Sequence, residues 1–220
     1  MSTDTPSTPD ALLLLSTGCP HCPVMLKTLS ELLKQGAIGR LEAVNIEHHP
    51  EQAAEVGTRS VPWARIGLYE FQGAITPAEL EGWVVDYGTV TGMSRYLTML
   101  LKEGQLAKAE QLIQQSPKQL QALIPLIEET DTEMTVRIGV GALLEGVEGE
   151  PALTPLLAEL ARLSGSEDAN IRADVCHYLG LSLNPEARPH LEQRLNDESS
   201  EVREIAAESL LMINNAAEVR

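Results

Sequence analysis

Residues 11–35 read ALLLLSTGCPHCPVMLKTLSELLKQ, and no other stretch narrows the choice of fold as much. An apolar run, Ala11 to Leu15, leads into a turn, Ser16-Thr17-Gly18. Cys19 and Cys22 follow, separated by Pro20 and His21. Val24, Met25, Leu26, Leu29, Leu32 and Leu33 then recur at helical spacing, which predicts an amphipathic helix. The order is strand, turn, dithiol, helix. A helix that begins near Cys19 points its first free N–H groups and the positive end of its dipole at that sulfur, and both stabilise a thiolate. The thiolate is the form that attacks a disulfide. Taken alone, a Cys-x-x-Cys pair serves redox chemistry, zinc sites and copper carriers alike.

Composition narrows the partners. At 220 residues the chain is long enough for one large domain or two small ones. Hydrophobic residues make up 43% and aromatics only 3%, so the core is built from Leu, Ala, Val and Ile, which favours packed helices. The net charge is -16, and its acid is unevenly placed: residues 128–220 hold nineteen acidic and seven basic side chains. Such a surface repels phosphate backbones and anionic membranes, and it suits a protein partner. No apolar run approaches the length of a membrane span. The opening MSTDTPSTPD has two acids and no base, unlike a secretory signal. Three cysteines, two of them in one close pair, do not make a disulfide scaffold. The expectation is a soluble cytoplasmic protein with one working dithiol and no metal or cofactor.

Residues 1–10 are expected to be a loose tail. Gly36 suits the end of the first helix. Residues 41–46 predict a second strand, and residues 51–56 a short helix after Pro50, stopped by Gly57. Thr58-Arg59-Ser60-Val61-Pro62-Trp63 comes next. The segment from Asn45-Ile46-Glu47 through Pro50, Ala53 and Gly57 to Arg59-Ser60-Val61-Pro62 closely resembles the thioredoxin family pattern. There Asn-Ile-Asp, a Pro three residues later, an Ala, a Gly and Arg-Ser-Ile/Val-Pro stand at the same spacing. The resemblance covers about residues 11–85. It implies a cis peptide at Val61–Pro62 facing the dithiol, with the Val61 backbone free to pair with a substrate strand and Trp63 beside it. Three departures stand out. Leu13 occupies the position of the family's buried acid. Trp63 replaces the usual Thr after the cis-proline. The first strand and helix of full thioredoxins have no counterpart, which makes this a trimmed, glutaredoxin-sized version of the fold spanning residues 11–87.

Further along, Trp63–Ile66 and residues 68–71 predict a hairpin around Gly67. Thr76, Pro77 and Glu79 predict a capped helix start, after which Leu80, Trp83 and Val84 face the sheet. Gly88 and Gly92 flank a β-branched stretch taken as a boundary. Residues 88–116 then predict a helical linker hairpin, 93–103 and 105–115, turning at Gly104. From residue 117 to 220 a repeat emerges. Ala122…Pro125-Leu126, Ala152…Pro155-Leu156 and Ala187…His190-Leu191 correspond, as do Val136-Arg137, Ile171-Arg172 and Val202-Arg203. Leu144, Leu179 and Leu210 each follow eight residues later, and Asp131 and Asp197 each precede their Val-Arg by five. Each unit reads as a helix, an acidic loop and a second helix. The pattern resembles HEAT-like repeats, an α-solenoid whose units stack because each leaves an apolar face uncovered. The fold class expected is therefore α/β followed by all-α.

The candidate catalytic residues are Cys19 as nucleophile, Cys22 as the resolving thiol, and Pro20 and His21 between them. Val61, Pro62 and Trp63 are the candidate substrate-binding residues. Cys-Pro-His-Cys also resembles the active site of bacterial periplasmic disulfide oxidases, where the His favours the reduced form, so a dithiol more oxidising than an ordinary thioredoxin is expected. Cys176 falls where the other repeats have Gly141 and Ala207, which predicts a structural packing slot. His48 and His49 are expected at the surface, and His177 and His190 on repeat helices. Arg137, Arg172 and Arg203 are expected to pair with acids of the neighbouring loop. Together these readings predict a thiol–disulfide oxidoreductase whose repeats recruit a protein partner. An adaptor with a redox-sensing dithiol and a metal carrier using Cys19 and Cys22 are the alternatives.

Overall fold

The computed structural model describes residues 8–219. The chain divides into two compact units between Met93 and Ser94. In the first unit β1 (Ala11–Leu15) is the central strand, and its five apolar residues suit a strand covered on both faces. It pairs in parallel with β2 (Leu41–Asn45) and antiparallel with β3 (Trp63–Ile66), which pairs in turn with β4 (Tyr69–Gln72). The order β2-β1-β3-β4 gives a four-stranded mixed sheet. Residues 1–7 of the expected tail lie outside the described residues. Residues 8–10 are tied down rather than loose: Pro9 is buried and its carbonyl accepts the Gly39 N–H at 2.9 Å, and the Asp10 carbonyl accepts the Gly67 N–H at 2.9 Å.

The first helix, α1 (Cys22–Gln35), starts three residues later than expected. Proline disfavours the helical region at the residue before it, here Cys19, and His21 takes the N-cap position. Met25, Leu29 and Leu32 turn inward, whereas Val24 and Leu33 stay exposed. Gly36 closes the helix in the left-handed conformation, φ 75°. The short α2 (Pro50–Glu55) buries no residue. The helix α3 (Pro77–Val85) carries the full capping box: the Thr76 hydroxyl accepts the Glu79 N–H at 3.3 Å, and the Glu79 carboxylate accepts the Thr76 N–H at 3.0 Å. Trp83 of α3 meets Tyr69 and Phe71 of β4, with ring centroids 5.5 and 5.2 Å apart. These contacts fasten the helix to the sheet, and α1 packs against α3.

The helix expected from residue 93 starts three residues earlier, as α4 (Val90–Lys102), and so includes Gly92. The Thr89 hydroxyl accepts the Gly92 N–H at 3.0 Å and so starts the helix. Gly92 is required there for close approach, since a Cβ would stand 2.2 Å from the Asp86 carbonyl oxygen. The helix α5 (Leu106–Gln115) follows the turn at Gly104.

The second unit continues as helix pairs. The first member of each pair is broken rather than continuous: 3-10 turns at Pro117–Leu123, Pro151–Leu156 and Pro185–Ala187 run into α6 (Ile124–Glu128), α8 (Leu157–Leu163) and α10 (Arg188–Arg194). Pro125, Pro155 and Pro189, near these switches, each lack the N–H that a continuous α-helix would use. The second members are single helices, α7 (Met134–Glu145), α9 (Ala169–Leu181) and α11 (Ser200–Val219). The repeat positions Val136, Ile171 and Val202 are buried, as are Val140, Val175 and Ala206. α7 packs on α9, and α9 on α11.

Arg172 locks the last two pairs together. Its guanidinium is almost wholly buried and donates to both Asp197 carboxylate oxygens, at 2.9 and 2.8 Å. It also donates to the carbonyls of Ser166 and Glu167, both at 2.9 Å, and to Glu198 at 3.2 Å. Here the acid of the following loop does pair with the repeat arginine. Arg137 instead reaches Asp174 on helix α9. Arg203, in the last repeat, donates to the Asp197 and Glu198 carbonyls. Arg172 above all holds the Asp197 carboxyl below its ordinary value of 3.8. Arg172→Met is expected to lower the unfolding free energy of the helical unit by about 3 kcal/mol, because it leaves a buried carboxylate unpaired. Urea titration followed by helical circular dichroism measures this, and adding Asp197→Leu should restore most of the loss. A depressed carboxyl contributes stability above its unfolded pKa. The gap between wild type and Asp197→Asn should therefore be full at neutral pH and shrink as pH falls through and below 3.8.

Candidate functional site

Two strand registers gather the candidate residues. Leu15 lies opposite Asn45 in the parallel pair, so the loops after β1 and β2 leave the same end of the sheet. Leu14 lies opposite Trp63 in the antiparallel pair, so the segment entering β3 arrives at that same end. Ser16 to His21, Ile46 to His49, and Ser60 to Pro62 therefore share one edge.

Cys19 and Cys22 form a disulfide, with Cα atoms 5.5 Å apart. Cys19 stands in the loop and is partly exposed, whereas Cys22 is the first residue of α1 and only 3% exposed. The Cys22 N–H, one of the helix's free first-turn donors, points at Cys19 Sγ at 3.1 Å. The later helix start thus still directs a donor at the outer sulfur. Pro20 and His21 are exposed, and His21 occupies the N-cap position without a side-chain capping bond. Leu13, where the family has its acid, is fully buried.

Val61–Pro62 is a cis peptide. Val61 is half-buried, while Pro62 and Trp63 are buried. The Pro62 carbonyl accepts the Gly73 N–H at 2.9 Å, which extends the hairpin by one rung. Thr58 and Gln72 hold the approach: the Thr58 hydroxyl donates to the Ser60 carbonyl at 3.0 Å, and Gln72 donates to the Ser60 hydroxyl at 2.8 Å.

Sequence reasoning missed Glu47. Its carboxylate accepts the Thr17 N–H at 3.1 Å and the Thr17 hydroxyl at 2.7 Å. The available signal was its place, the second residue after a strand that runs parallel to β1.

Residues 11–85 match the family model for a thioredoxin domain, and residues 120–211 match that for HEAT repeats. The chain joins a thioredoxin-like domain to HEAT-like repeats. No curated protein matches it. The dithiol lies in the thioredoxin-like domain, and the other cysteine in the repeats. No described helix is long and apolar enough to cross a membrane, and no group of three or more His, Cys, Asp or Glu among the described residues could hold a metal ion.

The remaining candidates are dispersed. His48 and His49 are exposed, and His49 pairs with Glu51 at 3.0 Å. His177 pairs with Glu145 at 3.3 Å, and His190 is half-buried. Cys176 is fully buried in α9, and burial pushes its thiol up to about 11. Reduced native protein treated with iodoacetamide at pH 8 should be alkylated at Cys19, with Cys176 modified only after denaturant is added. Peptide mass mapping distinguishes the two.

Proposed function

We propose that the chain is a thiol–disulfide oxidoreductase that works through Cys19 and Cys22, with the HEAT-like repeats recruiting its protein partner. One observation carries the reading: a partly exposed sulfur and a buried sulfur, joined at the head of a helix, in a thioredoxin-like domain. The accessible sulfur suits attack and the inner one suits release.

The cycle starts from the reduced pair. The Cys19 thiolate attacks one sulfur of a substrate disulfide, that S–S bond breaks, and the departing sulfur takes up a proton as a thiol. Cys22, deprotonated, then attacks Cys19 Sγ in the mixed disulfide. The Cys19–substrate bond breaks, the second substrate thiol leaves, and the Cys19–Cys22 disulfide forms. Two electrons have passed from the dithiol to the substrate, and a small thiol or dithiol reductant returns them. Run backwards, the same steps oxidise a substrate dithiol. The Cys22 N–H, 3.1 Å from Cys19 Sγ in the closed disulfide, is placed to stabilise negative charge on Cys19 once the disulfide opens. Val61, at the same edge, offers backbone to an extended substrate segment, with Pro62 and Trp63 packed behind it. The excess of acid over base in residues 128–220 suits a partner with a basic surface.

The adaptor reading draws on the same repeats and makes the dithiol a sensor. A Cys22→Ala variant of the full chain separates the two. Covalent complexes with proteins, formed through Cys19 and dissolved by dithiothreitol, support the enzyme. Partners that are retained equally by the Cys19→Ala/Cys22→Ala double variant, with no covalent species, support the adaptor. In an insulin-reduction assay Cys19→Ala should fall to the uncatalysed rate. His21→Ala should make the dithiol more reducing by on the order of 30 mV, the equivalent of a tenfold change in its exchange constant. Equilibration with glutathione buffers measures that shift.

A further inference from the structure

We propose that Glu47 is a positioning residue for the dithiol: its carboxylate clamps the turn that carries Cys19, and so governs how readily the Cys19–Cys22 disulfide closes. The proposal rests on the oxidoreductase reading above.

Thr17 stands two residues before Cys19 and gives Glu47 both of its donors, one to each carboxylate oxygen. Asn45 braces the pair from the side. Its amide donates to the Thr17 hydroxyl oxygen at 3.2 Å, and its side-chain carbonyl accepts the Glu47 N–H at 3.0 Å. Below this network the Ile46 N–H donates to the Leu15 carbonyl at 2.9 Å, the last backbone rung between the two loops. Above it the Cys19 N–H closes the turn on the Ser16 carbonyl at 3.3 Å. Packing does little for this turn, because the space a Gly18 side chain would take is open. Polar contacts therefore set where Cys19 begins. On its other side Pro20 fixes its own φ, and α1 starts at Cys22.

The clamp is exposed, so its effect on global stability is small. Its effect on ring closure is larger, since joining two groups depends on how often they meet in the reactive geometry. A released Thr17 lets Cys19 wander from Cys22, and an external thiol then competes better for it.

Exchange of the full-length protein with glutathione tests this. The Cys19 thiolate attacks glutathione disulfide and displaces one glutathione thiolate. Cys22, having lost its proton, displaces the second. The products are the internal disulfide and two glutathiones, with two electrons transferred. Glu47→Ala should lower this equilibrium constant about tenfold, an upward shift of about 30 mV in reduction potential. Thr17→Ser, which keeps both donors, should match wild type, and Thr17→Val added to Glu47→Ala should cause little further change. A Glu47→Ala constant within about twofold of wild type overturns the clamp (0.4 kcal/mol or less). So does an equal fall in Glu42→Ala, on the exposed side of β2, which would mark general loosening of the strand. A wild-type disulfide that glutathione does not exchange with overturns the oxidoreductase reading, and the clamp with it.

Discussion

The pairing of Leu15 with Asn45 and of Leu14 with Trp63 fixes β1 between a parallel and an antiparallel neighbour. Everything in the candidate site depends on this arrangement. A parallel partner sends its following loop off the same end as β1, and an antiparallel partner starts at that end. Three segments distant in sequence thereby share one edge. A slip of one residue in either register would also turn the alternate side chains of that strand to the opposite face. The register is well specified because β1 is apolar throughout and its neighbours present buried residues such as Ala64 and Ile66.

The repeats rest on a different kind of interaction. The first helix of each pair is short and broken by proline, so local propensity contributes little there. Side-chain burial at Val136, Ile171 and Val202 supplies the stacking, and the Arg172–Asp197 fork sets the spacing of the last two pairs. Arg172 donates to backbone and side-chain acceptors of two successive loops, which a lysine could not do with one point charge. The Arg137 and Arg203 contacts show how far the repeat symmetry extends. Arg172 and Arg203 each donate to the backbone carbonyls six and five residues earlier, whereas Arg137 reaches Asp174, so the shared contact recurs in the last two pairs.

The dithiol, the cis-proline segment and the capped α3 were legible because each is a local pattern with a strict steric or hydrogen-bonding cause. The start of α1 was not, since two signals compete there: the helical spacing of the apolar residues and the exclusion of the pre-proline residue from helix. Pro20 won. The first turn of α4, Val90 to Gly92, falls outside the expected helix because β-branched residues and glycine argue against helix, yet Thr89 caps it and Gly92 fits against Asp86. The splitting of the first helix in each repeat was written in Pro125 and Pro155, which mark the repeat, and in Pro189, one residue before the matching His190. The contact of Glu47 with Thr17 was missed for another reason. The two lie 30 residues apart, and nothing in the local sequence of either residue announces the other.

Leu13 has a consequence of its own. Strand β1 consists of Ala and Leu alone, so the strand that leads into the dithiol offers no group that takes up or gives back hydrogen ions. Opening the disulfide consumes hydrogen ions along with electrons, and with β1 silent the open route for these is the solvent-facing side, where Cys19 and His21 are accessible. Solvent composition then becomes a reactant. The rate at which Cys22 is unmasked would follow the concentration of dissolved buffer acid and base, a dependence that a relay built into the strand would conceal.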